Sequence, residues 1–395
     1  MRLPARRASA ALLLLLMPLA ATPATAAGSD TEPPRTTPAP LRPAPADGID
    51  GQYIVTLEPD ATPAQVAQHA GVTPLFSYEK VVRGFAAKLT PAQLSTVRSA
   101  PGVAAVEQDA VVSTVPVPET RAPASSWGLD RIDQPFLPLN GQYNVKGTGA
   151  GVSAFILDTG IDYGHPEFTG RARPGFDAIG DGRNGRDCNG HGTHVAGTVG
   201  GATHGVARQV GLVSVRVLDC EGRGSFAGII AGLEWVAVNS NRPSVLNASL
   251  GGPRSEVVNT ATTVLSDKGV LPVVAAGNSS ADACGVSPAS AARTMTVGAT
   301  NHLDQEASFS NFGPCLTIYA PGTQIKSAKL GGGSTHMSGT SMASPHVAGV
   351  AALYKQRHPT ASSRAVAAWI VEQSVKDVLT VTKSSPNRLV QTGGL

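Results

Sequence analysis

The stretch SVLNASLGGPRSEVVNTATTVLSDKGVLPVVAAGN, residues 244–278, decides the fold class. It contains two short apolar runs, Ser244 to Leu250 and Val270 to Ala276, which are typical of strands buried on both faces. Between them, Glu256 to Lys268 shows the helical period that a crossover between two parallel strands requires. We therefore predict a strand–helix–strand unit within a parallel sheet that is covered by helices.

The same alternation continues over the rest of the chain, from about Trp127 to Leu395. Further strand-like runs are Val152 to Leu157, Val210 to Leu218 and Thr294 to Ala299. Ser225 to Val238 is a further helical stretch. Residues 127–395 are therefore predicted to form an α/β domain, with a central, mostly parallel sheet and helices on both faces. In such sheets the functional site lies outside the carboxyl ends of the strands. Asp158, Ser249 and Asn278 occupy that position.

Composition excludes two broad classes of protein. Of the 395 residues, 42% are hydrophobic and 15% are charged, so the chain can bury large cores and is not disordered. Lys and Arg number 31 against 28 Asp and Glu, a formal charge of +3, and only 5% of the residues are aromatic. Because the main body has no basic run to bind phosphates and few rings to stack on bases, nucleic acid is not an expected partner.

The N-terminus has the pattern of a secretory signal peptide over residues 1–27. Three arginines precede an apolar run from Ala8 to Met17, and small residues follow it. The alternative is a membrane anchor, which needs about 20 apolar residues, whereas Pro18 and Pro23 interrupt this run. We therefore expect a secreted, extracellular protein that is free of the membrane once the signal is removed. Export favours disulfide bonds among the four cysteines, which allow three pairings.

A smaller unit precedes the α/β domain. Strand-like and helical segments alternate in it: Tyr53 to Leu57, Pro63 to Ala70, Val81 to Leu89, Pro91 to Arg98 and Val103 to Glu107. We predict a small α+β domain over residues 49–114, with two helices on one face of its sheet. Residues 28–48, which contain six prolines, are interpreted as a linker, and residues 115–126 as a processing segment or hinge.

Four polar residues are candidates for chemistry, each with a simpler alternative. Asp158 and Asn278 can be turn residues, and Ser341 can be the N-cap of a helix. His191, with His194 three residues later, can bind a metal, but zinc needs three or four protein ligands and no Glu follows in the usual spacing. Each alternative explains a single residue. The long motifs around His191 and Ser341 are required by neither a cap nor a turn, which favours a serine nucleophile with a histidine base.

From about Trp127 to its end, the chain resembles the subtilisin-like serine proteases. Within that family it is most similar to the proteinase K branch, and especially to the aqualysin-type secreted enzymes. The resemblance rests on DCNGHGTH at 187–194 and GTSMASPHVAG at 339–349, and on the order Asp, His, Ser along the chain. It implies a subtilisin-like fold for residues 127–395, which end where the catalytic domains of the family end.

The resemblance implies a catalytic role for four residues. Asp158, His191 and Ser341 would form the triad of a serine endopeptidase, and Asn278 would donate a hydrogen bond to the oxyanion. The implied reaction is hydrolysis of peptide bonds in proteins through an acyl-enzyme intermediate.

Three segments resemble the substrate-binding walls of the family. Two of them, Ser249-Leu250-Gly251 and Ala275-Ala276-Gly277, would form the pocket for the residue before the scissile bond. The third, Gly222-Arg223-Gly224, would pair with extended substrate backbone, as an added strand does. Because most of these side chains are small, a broad and mainly apolar preference is implied.

The small N-terminal unit resembles the inhibitory propeptide of the same family, with RGFAAKL at 83–89 on its central strand. The resemblance implies a ferredoxin-like fold and a role as intramolecular chaperone and inhibitor. It also implies self-cleavage that releases a mature enzyme beginning near Thr120. The alternative is a substrate-binding module that remains attached after secretion.

The four cysteines resemble the paired cysteines of aqualysin-type enzymes. The resemblance implies one disulfide between Cys188 and Cys220 and another between Cys284 and Cys315. By the chain-entropy relation, each disulfide would stabilise the folded protein by roughly 3.7 kcal/mol, because it restricts the unfolded chain.

Calcium is a further implication, with one departure from the family pattern. Thr317 stands where relatives have a calcium-binding aspartate, which argues against a site there. A second set of oxygen ligands, Asp130, Asp133, Gln134 and Asn140, resembles a structural Ca²⁺ site of the aqualysin branch. The alternative is a helix start with acidic residues in its first turn.

Two other functional classes are less consistent with the sequence. An inactive binding protein of the same fold would be expected to lack at least one of the four catalytic residues. An esterase of the α/β-hydrolase type would carry its serine in GxSxG, before Asp and His, whereas Ser341 comes last and lies in GTSMA. We expect a monomer whose partners are protein and peptide substrates and its own propeptide.

Overall fold

The structure, a computed structural model, describes residues 37–114, 127–241, 243–381 and 384–395. The α-helices in these ranges are α1 (Pro63–His69), α2 (Pro91–Ser99), α3 (Trp127–Asp133), α4 (His191–Gly200), α5 (Phe226–Asn239), α6 (Glu256–Asp267), α7 (Thr340–Arg357) and α8 (Ser363–Gln373). The strands are β1 (Leu41–Arg42), β2 (Gly48–Leu57), β3 (Phe76–Tyr78), β4 (Gly84–Lys88), β5 (Val103–Ser113), β6 (Ser153–Asp158), β7 (Ala172–Asp177), β8 (Gly211–Arg216), β9 (Arg223–Ser225), β10 (Ser244–Ala248), β11 (Gly252–Pro253), β12 (Leu271–Ala275), β13 (Val286–Ser287), β14 (Met295–Thr300), β15 (Ile318–Pro321), β16 (Ile325–Ala328), β17 (Ser334–Met337), β18 (Val375–Lys376) and β19 (Arg388–Leu389).

The larger domain is built on a nine-stranded sheet with the order β18-β19-β15-β14-β12-β10-β6-β8-β7. Neighbouring strands run parallel except β18 and β19 at one edge. The unit predicted at residues 244–278 is present as β10, α6 and β12, and its two strands are direct neighbours. The predicted α/β fold class is confirmed.

Helices cover both faces of this sheet, which explains why its strands are apolar throughout. In β6, Ala154 and Ile156 belong to a core that includes residues of α4 and α7. Phe155 and Leu157, which point to the opposite face, pack in a second core with residues of α5 and α6. Because both kinds of position are buried, period-two polarity is absent and the strand reads as one continuous apolar run.

The N-terminal domain has a sheet with the order β1-β5-β2-β4-β3, and α1 and α2 cover one of its faces. On its other face, Ile54, Ala86 and Ala110 pack in the same core as α5 of the larger domain. Strand β5 continues to Ser113, six residues beyond its predicted end at Glu107. The reason is tertiary: its last three residues pair with β9 of the larger domain.

The linker predicted over residues 28–48 must be corrected in its described part. Ala39 is buried; its backbone N–H donates to the Arg98 carbonyl at the end of α2, and its carbonyl accepts from the Arg98 side chain. Leu41 and Arg42 form β1, which pairs parallel to β5. Prolines hold the backbone extended without donating to a ladder, so such a segment can add to the edge of an existing sheet.

Two further predictions lie outside the described residues: the signal peptide at 1–27 and the processing segment at 115–126, with the mature N-terminus near Thr120. Within the described ranges, no helix is long and apolar enough to cross a membrane.

Two disulfides join loops of the larger domain. Cys188 is bonded to Cys220 and Cys284 to Cys315, with S–S distances of 2.05 and 2.08 Å. This is the pairing that the resemblance implies. The first bond links the loop before α4 to the loop before β9, and the second links the loop after β12 to the loop before β15.

Candidate active site

Asp158 is the last residue of β6 and is fully buried. Its Oδ1 accepts hydrogen bonds from the Thr159 backbone N–H and from Nδ1 of His191, each at 2.8 Å. Gly160 turns the chain away with φ +114°, and a Cβ at this position would lie 2.7 Å from the Asp187 nitrogen. The strand and the glycine turn therefore hold the carboxylate rigidly against the imidazole.

His191 is the first residue of α4, after Gly190 in a left-handed conformation. Burial alone lowers the pKa of His191, but the charge and hydrogen bond of Asp158, with a further contribution from Asp187, raise it overall. In the described structure the buried Nε2 atom has no hydrogen-bond partner. His194 instead bonds the Ile325 carbonyl through its Nε2, so the structure does not support the two histidines as a metal pair. The His191 ring can therefore accept a proton at Nε2 while Asp158 holds Nδ1.

Ser341 lies in the first turn of α7 and is 4% exposed. Its Oγ donates to the Ser249 carbonyl at 3.2 Å, and Ser249 Oγ donates back to the Ser341 carbonyl at 2.8 Å. The hydroxyl is thus bonded to the segment after β10, and not to His191. Attack on a substrate requires it to turn from Ser249 towards Nε2, and hydrogen bonds of this kind are often loose before a substrate binds.

Asn278 follows β12 and Gly277, and its Oδ1 is held by Thr340. The Thr340 backbone N–H donates to this oxygen at 2.8 Å, and Thr340 Oγ1 donates to it at 2.7 Å. A Cβ built on Gly339 would lie 3.1 Å from Asn278 Nδ2, which places the amide nitrogen beside the residues that precede Ser341. The asparagine N–H₂ group and the first turn of α7 therefore face the same region.

The end of β5 runs through a groove next to these residues. Val111, Val112 and Ser113 pair with Ser225, Gly224 and Arg223 of β9. On the other side, Ser113 and Gly251 exchange backbone hydrogen bonds of 3.2 and 3.4 Å. The Thr114 N–H donates to the Gly222 carbonyl at 3.0 Å. Residues 111–114 thus lie as an extended strand between the two edges that the resemblance assigns to substrate.

A cavity of about 260 Å³ adjoins Ser341. Residues of the predicted walls that line it are Leu250, Gly251, Ala275 and Gly277, together with Asn278 and Ser341. Ser249 and Ala276 do not line it: Ser249 bonds Ser341, and Ala276 is fully buried behind the wall. Val286, at the start of β13, lines the cavity as well. The sequence carries no signal for its role, because only the fold returns this loop to the cavity.

Asn311 is another residue that the sequence does not reveal. Its Nδ2 donates to the Ala276 carbonyl at 2.9 Å, and its Oδ1 accepts from the backbone N–H groups of Ser279 and Ala281 at 3.0 Å. These bonds span the loop that carries Asn278. A buried asparagine thereby fixes the position of the asparagine at the site.

The predicted calcium ligands converge only in part. Asp130 accepts from the backbone N–H groups of Asn140 and Gly141. Asp133 has one buried oxygen, Oδ1, without a hydrogen-bond partner in the described structure. Burial raises the pKa of Asp133, and the charge of Asp130 raises it further, whereas the hydrogen bond from the Asn144 N–H lowers it; the overall shift is upwards. The described residues contain no group of three or more His, Cys, Asp or Glu side chains that could hold a metal.

The amide side chains of this predicted set are engaged locally. Gln134 donates from Nε2 to the Pro138 carbonyl, and Asn140 accepts from the Gln142 N–H. At the other predicted position, Thr317 Oγ1 accepts from the Thr296 N–H and donates to the Thr294 carbonyl. The Thr317 hydroxyl thus bonds the backbone at the start of β14, and this position has no carboxylate that could bind calcium.

Comparison with known proteins places both domains in families. Residues 149–393 match the subtilase family, and residues 52–115 match the peptidase inhibitor I9 family. The chain is 48% identical over 315 residues to alkaline serine exoprotease A of Vibrio alginolyticus, covering 79% of this chain and 59% of the relative's length. It is 49% identical over 318 residues to the extracellular serine proteinase of Thermus sp. (strain Rt41A), covering 80% of this chain and 77% of the relative.

A solved structure supports the same assignment. The crystal structure of a cold adapted subtilisin-like serine proteinase aligns with a TM-score of 0.67 and 47% identity. The alignment covers 67% of this chain and 97% of that chain. The chain therefore belongs to the subtilase family of serine proteases, with a peptidase inhibitor I9 domain ahead of its catalytic domain.

Proposed function

We propose that the chain is a secreted serine endopeptidase made as a self-processing zymogen, with Asp158, His191 and Ser341 as its triad. One observation carries this most directly. The chain's own residues 111–114 lie as an extended strand along the cavity that adjoins Ser341, where a peptide substrate would lie. The buried Asp158–His191 hydrogen bond supplies the base beside it.

The geometry supports acyl transfer by the following steps. Ser341 Oγ leaves the Ser249 carbonyl, gives its proton to Nε2 of His191 and attacks the carbonyl carbon of the substrate. Asp158 keeps its bond to Nδ1 and stabilises the imidazolium that forms. His191 then gives the proton to the leaving amine, which leaves an ester on Ser341. Water hydrolyses this ester with His191 again as the base.

Negative charge develops on the carbonyl oxygen during each attack. The backbone N–H of Ser341 lies in the first turn of α7, where the helix dipole favours an anion. Thr340 fixes the amide of Asn278 by donating to its Oδ1, and the Nδ2 atom lies beside Gly339, the residue before α7. These two donors would form the oxyanion hole.

The groove supports recognition of backbone more than of side chains. Ser113 and Thr114 bond to Gly251 and Gly222 through main-chain atoms only. The cavity walls include Leu250 and Ala275, and the one charged residue that lines the described cavity is Asp47 of the N-terminal domain. An apolar pocket distinguishes substrates by only about 1–3 kcal/mol per methylene, so we expect a broad, mainly apolar preference.

The N-terminal domain would act as inhibitor and folding aid, because its contacts complete parts of the catalytic domain. The backbone N–H groups of Glu79, Lys80 and Val81 all donate to the carboxylate of Glu234 on α5, at 2.7 to 3.0 Å. Tyr78 donates its hydroxyl to the Ala227 carbonyl in the first turn of the same helix. The domain therefore holds α5 at both its first turn and its exposed face.

Two acidic residues of β5 meet the starts of two helices. Asp109 accepts from the Ala227 N–H at the start of α5, and Glu107 accepts from Ser255 Oγ, the N-cap of α6. Residues two apart on a strand share a face, so both carboxylates reach the catalytic domain together. The Asp109 bond satisfies an N–H group in the first turn of α5, and the Glu107 bond holds the hydroxyl that caps α6.

The pairing of residues 111–114 with the catalytic domain indicates where the first self-cleavage is expected. Ser113, near the end of the described strand, opposes Gly251, which lies two residues beyond Ser249 on an antiparallel edge. The Ser249 carbonyl bonds Ser341 Oγ. We therefore expect the first cut close after Thr114, ahead of the mature N-terminus near Thr120, which later trimming would produce.

The proposed function is tested by labelling the secreted, processed protein with a fluorophosphonate, which reacts with activated serines. We expect one label per chain, on the peptide that contains Ser341, together with hydrolysis of peptides that have a large apolar residue before the cut. Heat-unfolded protein is the control and should remain unlabelled. Folded, processed protein that takes no label at Ser341 would refute the proposal.

Replacing Asn278 with alanine should lower kcat by about 10²–10³-fold with little change in KM, as expected when one oxyanion-hole donor is lost. Asn278→Asp is the matched variant: it keeps an acceptor for Thr340 but lacks the N–H donor. Both should be measured on a peptide substrate, with Tm as the check on folding. Near wild-type kcat in both variants would show that Asn278 does not serve the oxyanion.

Calcium binding is proposed at Asp130 and Asp133, because a buried, unpartnered carboxylate oxygen beside a second carboxylate suits a hard cation. A ligand present at 100 times its Kd stabilises by about 2.7 kcal/mol, so chelator should lower the Tm of the wild type. Asp133→Asn should remove this response, whereas Glu372→Gln, a carboxylate far along the chain on α8, should retain it. A wild-type Tm that chelator leaves unchanged contradicts the proposed site.

A further inference from the structure

A second buried carboxylate lies in the loop before His191, and the mechanism above does not use it. Asp187 is 7% exposed and precedes His191 by four residues. We propose that Asp187 is a positioning residue for the catalytic base, which fixes the distance between Asp158 and His191 and adds a second negative charge to stabilise the imidazolium. This inference rests on the proposed function, because it assigns Asp187 a part in the same reaction.

The carboxylate of Asp187 is saturated by donors. Its Oδ1 accepts from Thr159 Oγ1 and from the backbone N–H groups of Asn189 and Gly190, all at 2.9 Å. Its Oδ2 accepts from the Thr193 N–H at 2.9 Å and from Thr193 Oγ1 at 2.6 Å. All five contacts are donated to Asp187, and an ionised carboxylate accepts hydrogen bonds through both of its oxygens. An amide in its place would set an N–H₂ group against a donor.

One of these donor residues lies next to Asp158 in the chain, and the others lie just before or just after His191. Thr159 directly follows Asp158, and its Oγ1 also accepts from the Gly192 N–H at 2.9 Å. On the other side, Asn189 accepts from the His191 N–H through its Oδ1 at 3.2 Å. Asp187 therefore joins the end of β6 to the residues before and after the histidine. Small errors in such positions are costly in catalysis, because misplacement by about 1 Å can lower a rate by 10²-fold.

The charges around His191 support the electrostatic part of the inference. Asp158 and Asp187 both raise the pKa of His191, although burial opposes them. His194, on the same helix, stays neutral because burial, with a smaller contribution from the charge of His191, lowers its pKa to about 3. The nearby cation Arg216 is paired with Asp177 and Asp181. Within the described ranges, no ion pair neutralises Asp187.

The test is the pH dependence of kcat/KM for Asp187→Asn in the full, processed enzyme. Loss of the charge lowers the pKa of His191, so a larger share of the base is unprotonated at acidic pH. We expect the acid limb of the profile to move to lower pH and the plateau kcat to fall about tenfold to a hundredfold, with KM little changed. Thr193→Val is the matched control, because it removes a donor from the same carboxylate but keeps the charge. Its acid limb should stay at the wild-type position.

A purely structural role would lower activity equally at every pH in both variants, and that result would overturn the inference. Asp187→Ser is the second variant in case Asp187→Asn does not fold. It also removes the charge, leaves room for water to accept from the loop, and should show the same displaced acid limb. If the wild type itself lacks hydrolysis that depends on Ser341, the proposed function has failed. A wild-type enzyme that is active, with an unmoved acid limb in the Asp187 variants, contradicts only the role of Asp187.

Discussion

Ser341→Ala is expected to lower peptide hydrolysis by about 10⁶-fold, the size of loss seen when the nucleophile of subtilisin is removed. The methyl group cannot attack a carbonyl, so no acyl-enzyme forms and His191 has no proton to accept. The same variant should fold with its N-terminal domain attached, because the contacts of Glu234, Asp109 and Glu107 do not involve Ser341.

The measurement is the intact, non-reduced mass of the secreted wild type and of Ser341→Ala, purified in parallel. We expect the wild type to have lost everything before about Thr120, and the variant to retain it. Ser344→Ala is the matched control, because it removes a hydroxyl from the same helix, one that bonds Asn247, and should be processed normally. Wild type and Ser341→Ala that are both uncut would show that Ser341 does not process its own chain, and an inactive binding protein would become the function to test.

Asp158→Asn is expected to lower kcat by about 10⁴-fold while the protein keeps its fold. Oδ1 of Asp158 holds Nδ1–H of His191 at 2.8 Å, which leaves Nε2 as the acceptor. An amide N–H₂ group at this position can donate to Nδ1 and so favours the tautomer protonated at Nε2, which cannot take the serine proton.

This second prediction is checked by kcat on a peptide substrate, together with fluorophosphonate labelling and Tm. Labelling should slow in parallel with kcat, because both need an activated Ser341. Asp162→Asn is a suitable control, since Asp162 lies four residues further along the chain and bonds the backbone of Gly164 and Gly331. A kcat within tenfold of wild type in Asp158→Asn would remove Asp158 from the triad.

The fold class and the position of the candidate site could be predicted from the sequence. Strands buried on both faces leave continuous apolar runs, and crossover helices leave a helical period between them, so β10, α6 and β12 could be recognised from composition and spacing. The first polar residue after such a strand must lie at the carboxyl edge of the sheet. Asp158 is the last residue of β6 and Asn278 lies just beyond β12, as this rule predicts.

The segment before the N-terminal domain shows where local composition misleads. Its prolines and lack of large apolar side chains are typical of a linker, yet Leu41 and Arg42 add a strand to β5. The free edge of β5 supplies the hydrogen bonds that the segment cannot make by itself. Likewise, the predicted end of β5 at Glu107 is too early because its last residues are stabilised by β9, more than 100 residues later in the chain.

The sequence by itself determined the fold class, the order of the domains and the four candidate catalytic residues, because each leaves a local pattern of polarity or a long motif. Only the tertiary structure decided which groups meet. It brought Val286 to the cavity, Asn311 to the loop of Asn278, and Asp187 to both sides of the Asp158–His191 pair. It also left Gln134 and Asn140 bonded to their own loop. The physical reason is that hydrogen bonds and charge interactions act over a few ångströms, and such distances are set by packing between elements that lie far apart in the chain.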